Sequence, residues 1–180
     1  MPTRLKLTYQ DYLLLPDDGK RYEILDGDLY MTPSPSVQHQ RISGKLFQAL
    51  AQHVEAHRLG EVFAAPLDVI LAVDSIAQPD LLFLSTERLS IAREVVHGAP
   101  DLVVEILSPG TRERDRTLKR HLYARHGVRE LWLVDPEARH VELYQLDPTA
   151  DTPPRVFANR DVLTSDLLPG LRLAVDTLWP

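Results

Sequence analysis

Two acidic residues stand in this chain where an acid is costly. Asp80 opens the apolar run Asp80-Leu81-Leu82-Phe83-Leu84, and Glu105 interrupts the run Leu102-Val103-Val104-Glu105-Ile106-Leu107. Runs this apolar read as strands buried on both faces, where an ionised carboxylate persists only if it is hydrogen-bonded, ion-paired or bound to a metal. If the two strands are neighbours, the acids lie about 5 Å apart, the ordinary inter-strand spacing. Carboxylates that close repel each other unless a cation lies between them. Oxygen donors at such a site suit Mg²⁺ or Mn²⁺, which accept one or two carboxylates together with waters and phosphate oxygens. The carbonyl of Ile106 is a further candidate ligand. Phosphodiester hydrolysis is the chemistry such a site would serve. The competing reading is a buried acid bonded to backbone amides or to an arginine.

The elements that must position these acids follow from periodicity and turn chemistry. Thr8 reads as an N-cap with Asp11 at N3, opening a short helix over residues 9–15 that stops at Pro16. Asp26-Gly27 between the runs 21–25 and 28–31 predicts a hairpin with a type I′ turn. Pro33 and Pro35 keep the next loop extended, and Ser36 caps a helix over 37–57 whose apolar stripe is Ile42, Leu46, Leu50 and Val54. Gly60 ends that helix. Residues 62–73 read as one long strand bent at Pro66, followed by the Asp80 strand, a weaker helical segment over 85–96 and the Glu105 strand. A helix over 112–126 closes at Gly127, strands follow over 130–135 and 141–146, and residues 147–154 form a surface loop. Residues 155–158 and 171–175 read as edge strands. The core order is helix, strand, strand, strand, helix, strand: an α/β (α+β) fold with one mixed sheet, an N-terminal hairpin and extra C-terminal strands, in a single domain over 1–180.

The composition, 44% hydrophobic and 26% charged, is that of a soluble globular protein. Cysteine is absent, which rules out disulfides and thiolate metal sites and fits a reducing cytoplasm. No apolar stretch reaches membrane-spanning length, and the N-terminal segment has no signal-like run, so neither secretion nor insertion is expected. A net charge of -6 opposes long-range attraction to nucleic acid. Its distribution matters more. Between residues 112 and 125 six cations face only Glu113 and Asp115, directly after the Glu105 strand. Arg112, Arg114, Arg116 and Arg120 are therefore the candidate nucleic-acid contacts, against the plainer reading of a solvated, ion-paired helix face.

Several segments together carry a family resemblance. Gln78-Pro79-Asp80, Val103-Val104-Glu105-Ile106-Leu107-Ser108-Pro109, Arg114-Asp115 with Lys119 and Tyr123, and the segment from Gly127 to Asp135 resemble the PD-(D/E)XK nuclease superfamily. Within it they resemble a bacterial restriction-endonuclease-like group formerly filed as a domain of unknown function. The hairpin from Arg21 to Tyr30 and the helix entry Pro35-Ser36-Val37-Gln38-His39 are similar to that group as well, so the likeness spans nearly the whole chain. The resemblance implies a sheet flanked by helices and metal held by Asp80 and Glu105. The superfamily pattern places a lysine two positions after the acid, where this chain has Leu107. By the group's pattern Lys119 on the following helix takes over, and its long stem can reach back over the strand end. Its plainer reading is a helix-face pair with Asp115.

Glu23, which matches a glutamate of the group's hairpin, and His39, in the first turn of the long helix, complete the candidate set. Gly110 and Thr111 at a helix start are either a phosphate contact or a simple cap. No nucleophile elbow, Walker loop or dinucleotide-binding loop is present. The expectation is a Mg²⁺- or Mn²⁺-dependent DNA endonuclease working as a homodimer. The alternatives are a nuclease-like module that binds DNA or protein without cutting, and a phosphodiesterase of small nucleotides.

Overall fold

The computed structural model describes residues 5–147 and 152–179. Its elements are α1 (Tyr9–Tyr12), β1 (Arg21–Leu25), β2 (Asp28–Thr32), α2 (Val37–Ala56), β3 (Gly60–Ala64), β4 (Val69–Ala72), β5 (Ser75–Ala77) and β6 (Leu81–Ser85). A 3-10 turn (Leu89–Ile91), β7 (Val96–His97) and β8 (Leu102–Ile106) follow. The next helix is composite, with α3 (Arg112–Arg114), a π-helical turn (Asp115–Lys119) and α4 (Arg120–His126). Then come β9 (Glu130–Asp135), β10 (His140–Gln145), β11 (Arg155–Ala158), β12 (Val162–Leu163), β13 (Leu173–Ala174) and a last 3-10 turn (Val175–Leu178).

Local chemistry explains the best-formed elements. The Ser36 hydroxyl accepts the His39 N–H at 3.1 Å and starts α2, whose Ile42, Leu46, Leu50 and Val54 are all buried. Asp26 and Gly27 both take positive φ (52° and 80°), the backbone that a type I′ hairpin requires.

The core sheet runs β11-β10-β9-β8-β6-β3, with β8 and β9 parallel and joined by the composite helix. One face carries Leu81, Phe83, Leu102, Val104, Ile106, Trp132 and Val134 against the α2 stripe and the C-terminal segment. The other carries Val103, Leu107, Leu131 and Leu133 against Leu122 and Tyr123 of α4. Glu105 alternates with Val103 and Leu107, so it belongs to this second face.

The expected core order holds as α2-β3-β6-β8-helix-β9, but the remaining strands are arranged differently. The hairpin does not extend the core sheet. It joins β5, β4 and β7 in a second sheet of order β2-β1-β5-β4-β7. The long strand expected over 62–73 is two strands in two sheets, parted at the cis Ala65-Pro66 peptide, where proline offers no N–H to a ladder. The helix expected over 85–96 reduces to a single 3-10 turn. The buried Asp101 carboxylate accepts the Ser85 N–H at 2.8 Å and pairs with Arg88, while Val96 leaves to pair with β4. β11 is the expected edge strand of the core sheet, and β13 is an edge strand too, but of a separate two-stranded ribbon with β12. Of the loop expected over 147–154, residues 148–151 lie outside the described residues.

Two glycines bear opposite loads. Gly60 (φ 148°) passes so close to β6 that a Cβ would sit 1.9 Å from the Leu84 carbonyl oxygen, whereas Gly44 lies mid-α2 with open space around it. Gly60→Ala should lower stability by about 1–3 kcal/mol. Gly44→Ala should raise it by about 0.5–1 kcal/mol through helix propensity. Urea denaturation of the two variants measures both signs.

Candidate active site

The antiparallel register of β6 and β8 pairs Leu81 with Val104 and Leu82 with Val103. Continued by one residue it sets Asp80 opposite Glu105, on the face that carries the composite helix. Both are nearly buried, 9% and 4% exposed. The Asp80 Oδ2 accepts the Ile106 N–H at 2.8 Å and meets His39 Nε2 at 3.2 Å. The Glu105 Oε1 accepts the Tyr123 hydroxyl at 2.5 Å and forms an ion pair with the Lys119 ammonium at 2.6 Å.

Lys119 is 3% exposed and sits among three acids: Glu105, Glu23 at 2.9 Å and Asp115 at 3.9 Å. The helix-face pair with Asp115 is thus the longest of its contacts. Glu23 reaches it from β1. The same carboxylate accepts the Gln78 N–H at 2.8 Å, and its other oxygen lies 3.8 Å from Arg114.

Burial pushes the Glu105 carboxyl up to about 8; Lys119 opposes the shift, while Asp115, Asp80 and Glu23 add to it. Burial also raises Asp115. Glu23 is held below its ordinary value, because Lys119, the Gln78 N–H and Arg114 outweigh its burial. Burial works against the Lys119 charge, yet Glu105 and Glu23 hold its pKa well above the usual lysine range.

These groups line a cleft of about 380 Å³, walled by Pro33, Ser34 and Pro35 on one side and by Ser108, Pro109, Gly110 and Thr111 on the other. Five carboxylates, Glu23, Asp80, Glu105, Asp115 and Glu137, line it with three permanent cations, Lys119, Arg114 and Arg21. The shortfall of positive charge and the hard oxygen donors both fit a divalent cation. Among the described residues no three His, Asp or Glu side chains converge on one metal position. Two carboxylates and a carbonyl still suffice for Mg²⁺, which keeps several waters.

The structure brings Asp80, Glu105, Lys119, Glu23, His39 and Arg114 together at this cleft, and it sends the other three candidate arginines elsewhere. Arg112 pairs with Asp135 at 2.6 Å and with Glu137 at 2.7 Å, and Arg116 pairs with Glu142 at 2.7 Å. Arg120 lies over the Tyr144 ring at 5.2 Å. Spaced four apart, these three share a helix face turned toward β9 and β10, so the expected basic patch is divided, and Arg114 alone of the four lines the cleft. Gly110 and Thr111 line the cleft, and the Thr111 side chain makes no cap to the helix it precedes; its N–H donates to the Ser108 carbonyl, and the two hydroxyls lie 3.0 Å apart.

Sequence reasoning names Gln78, Asp115 and Tyr123 within the resembling segments, and Asp115 as a helix-face partner of Lys119, but places none of them among the candidate site residues. Tyr123 and Asp115 lay at four-residue spacing either side of Lys119, a signal that all three share a helix face. The Gln78 contact is made by its backbone and left no trace in residue type. The π-helical turn was equally invisible.

Comparison with known proteins bears on fold and family. An uncharacterized protein of Synechocystis sp. (strain ATCC 27184 / PCC 6803 / Kazusa) is 27% identical over 177 residues, covering 97% of this chain and 92% of its own length. A solved structure, titled a putative nuclease belonging to DUF820 from Anabaena variabilis ATCC 29413, superposes with a TM-score of 0.81 at 23% identity. The match covers 96% of this chain and 97% of that one, so the two share a fold. The family model described as "Uma2: Putative restriction endonuclease" matches residues 9–176, nearly the full length, and the chain belongs to that family.

Proposed function

We propose that the protein is a metal-dependent endonuclease that hydrolyses phosphodiester bonds of DNA, with Mg²⁺ or Mn²⁺ as cofactor. The observation that carries this reading is the placement of Asp80 and Glu105 on one face of adjacent strands, with the buried Lys119 ammonium 2.6 Å from Glu105. The family description and the nuclease named in the Anabaena structure point the same way.

Asp80, Glu105 and the Ile106 carbonyl are the groups that would hold the cation. What a cation supplies there is a bound water of lowered pKa and positive charge beside the scissile phosphate. Lys119 orients the attacking water or meets the negative charge that develops on the phosphate. Glu23 holds Lys119 from the opposite side. His39 bonds Asp80 through one ring nitrogen and keeps Nδ1 unused. Arg114 is the cation placed to receive a neighbouring phosphate. Cutting both strands takes two sites, which a homodimer would supply. The absence of cysteine suits work in the cytoplasm.

One observation favours a second reading, a nuclease-like module that binds DNA or protein without cutting. Leu107 stands where the superfamily pattern has its lysine, and it is packed in the core with Leu122 and Tyr123.

Plasmid nicking separates the two. The wild-type chain should nick supercoiled DNA in Mn²⁺ or Mg²⁺, and Asp80→Asn and Lys119→Ala should each slow it by about 100-fold or more, with thermal melts confirming that both fold. DNA retained but left uncut in every divalent ion would select the binding module.

Glu105 also sets a pH dependence. With its carboxyl raised to about 8, it is mostly protonated at neutral pH and must release that proton to take a cation. Apparent Mn²⁺ affinity should therefore climb as pH rises toward about 8 and level off above it. Calorimetry in buffers of different ionisation enthalpy should detect proton release near neutral pH that vanishes in alkaline buffer. A flat affinity with no proton release contradicts this assignment.

A further inference from the structure

Each of the two acids has one oxygen tied down and one left over. On Asp80 both contacts fall on Oδ2, from the Ile106 N–H and His39 Nε2. On Glu105 both fall on Oε1, from Tyr123 and Lys119. Oδ1 and Oε2 receive none of these donors, and both residues line the cleft.

The two donors on Glu105 are unequal in what they fix. A lysine ammonium is a compact point charge on a flexible stem, and this one is divided between Glu105 and Glu23, so it attracts the carboxylate without selecting an oxygen. The last torsion of a glutamate is broad and roughly two-fold, so a point charge leaves it free to exchange its oxygens. Tyr123 differs. Its ring is fully buried in the apolar cluster that also holds Leu25, Val103, Leu107, Leu122, Val128 and Leu133. Its hydroxyl is a directional donor carried on a rigid strut. A phenol placed so deep is costly without a partner, and phenylalanine would fill the same space with no polar group to satisfy.

We propose that Tyr123 is a positioning residue for the cation site: its hydroxyl pins Glu105 Oε1 and so presents Oε2 alone to a divalent ion. The proposal rests on the metal-dependent reading above. It gives the composite helix two tasks one turn apart, charge from Lys119 and orientation from Tyr123. Each acid then binds through a single oxygen, which suits a small octahedral ion that keeps its remaining waters. Partners that orient a metal ligand without touching the metal typically contribute roughly 10- to 100-fold to affinity.

The test is a Mn²⁺ titration by calorimetry on the full chain, comparing wild type, Tyr123→Phe and the core control Leu122→Ala, each checked by thermal melt. Tyr123→Phe, which removes one oxygen and keeps the ring, should weaken Mn²⁺ binding by roughly 10- to 100-fold. Plasmid cleavage by this variant should recover as Mn²⁺ is raised by the same factor, with DNA affinity unchanged. Leu122→Ala should lower the melting temperature while leaving Mn²⁺ affinity near the wild-type value. Equal Mn²⁺ affinity in Tyr123→Phe and wild type overturns the proposal and leaves the nuclease reading standing, as does an equal loss in Leu122→Ala. A wild-type chain that neither binds Mn²⁺ nor cuts DNA removes the nuclease reading itself, and this proposal with it.

Discussion

The ammonium of Lys119 is the point on which the site turns. It lies 2.6 Å from Glu105 on β8 and 2.9 Å from Glu23 on β1, and these strands belong to different sheets. One buried cation therefore ties the composite helix, the core sheet and the hairpin sheet together, and the cleft opens where the three meet. Deleting one member of such a buried pair typically costs about 3–5 kcal/mol, because the partner is left desolvated and uncompensated. Stability and site geometry are coupled through this contact.

The same burial that makes the acids expensive makes them useful. Asp80 and Glu105 reach their places through ordinary antiparallel register, and the apolar faces packed by α2 and α4 exclude water around them. In that low-dielectric setting the surplus of carboxylates over cations is not screened away, and Glu105 bears the strain by holding its proton up to about 8. A cation of charge two brought to these oxygens relieves the repulsion that burial created. Under the proposed reading, apolar packing on both sides of the sheet is what would give the site its affinity for metal.

Much of this was legible in the sequence, for a physical reason: burial leaves a mark on residue type. Acids inside apolar runs gave Asp80 and Glu105, a four-residue stripe gave α2, and Asp-Gly gave the hairpin turn. What stayed hidden depends on where a chain goes after a break. Pro66 signals an interruption, but nothing near it says that β3 and β4 will enter separate sheets. The arginines between 112 and 120 read as one patch because charge was counted along the chain. Helical spacing turns Arg112, Arg116 and Arg120 to Asp135, Glu142 and Tyr144, and leaves Arg114 at the cleft. Glu23 was reached through its hairpin motif, while its pairing with Lys119 spans 96 residues and has no local signature.

The absence of a strand lysine follows from how this core is packed. Leu107 is 3% exposed and packs in the apolar cluster with Leu122, Tyr123 and Val128 at the edge of the cleft, so a lysine there would give up that apolar packing. The cation beside Glu105 is carried instead by the composite helix, as Lys119. The π-helical turn over Asp115–Lys119 widens the helix where Lys119 must face inward, and Tyr123 follows one turn later on the same side. Breaks of this kind in helices recur at functional sites because they re-aim side chains without ending the helix. Here the re-aiming lets one helix face deliver a charge and a directional donor to the same carboxylate oxygen, while its neighbouring face keeps Arg112 and Arg116 in ion pairs that anchor the helix to β9 and β10.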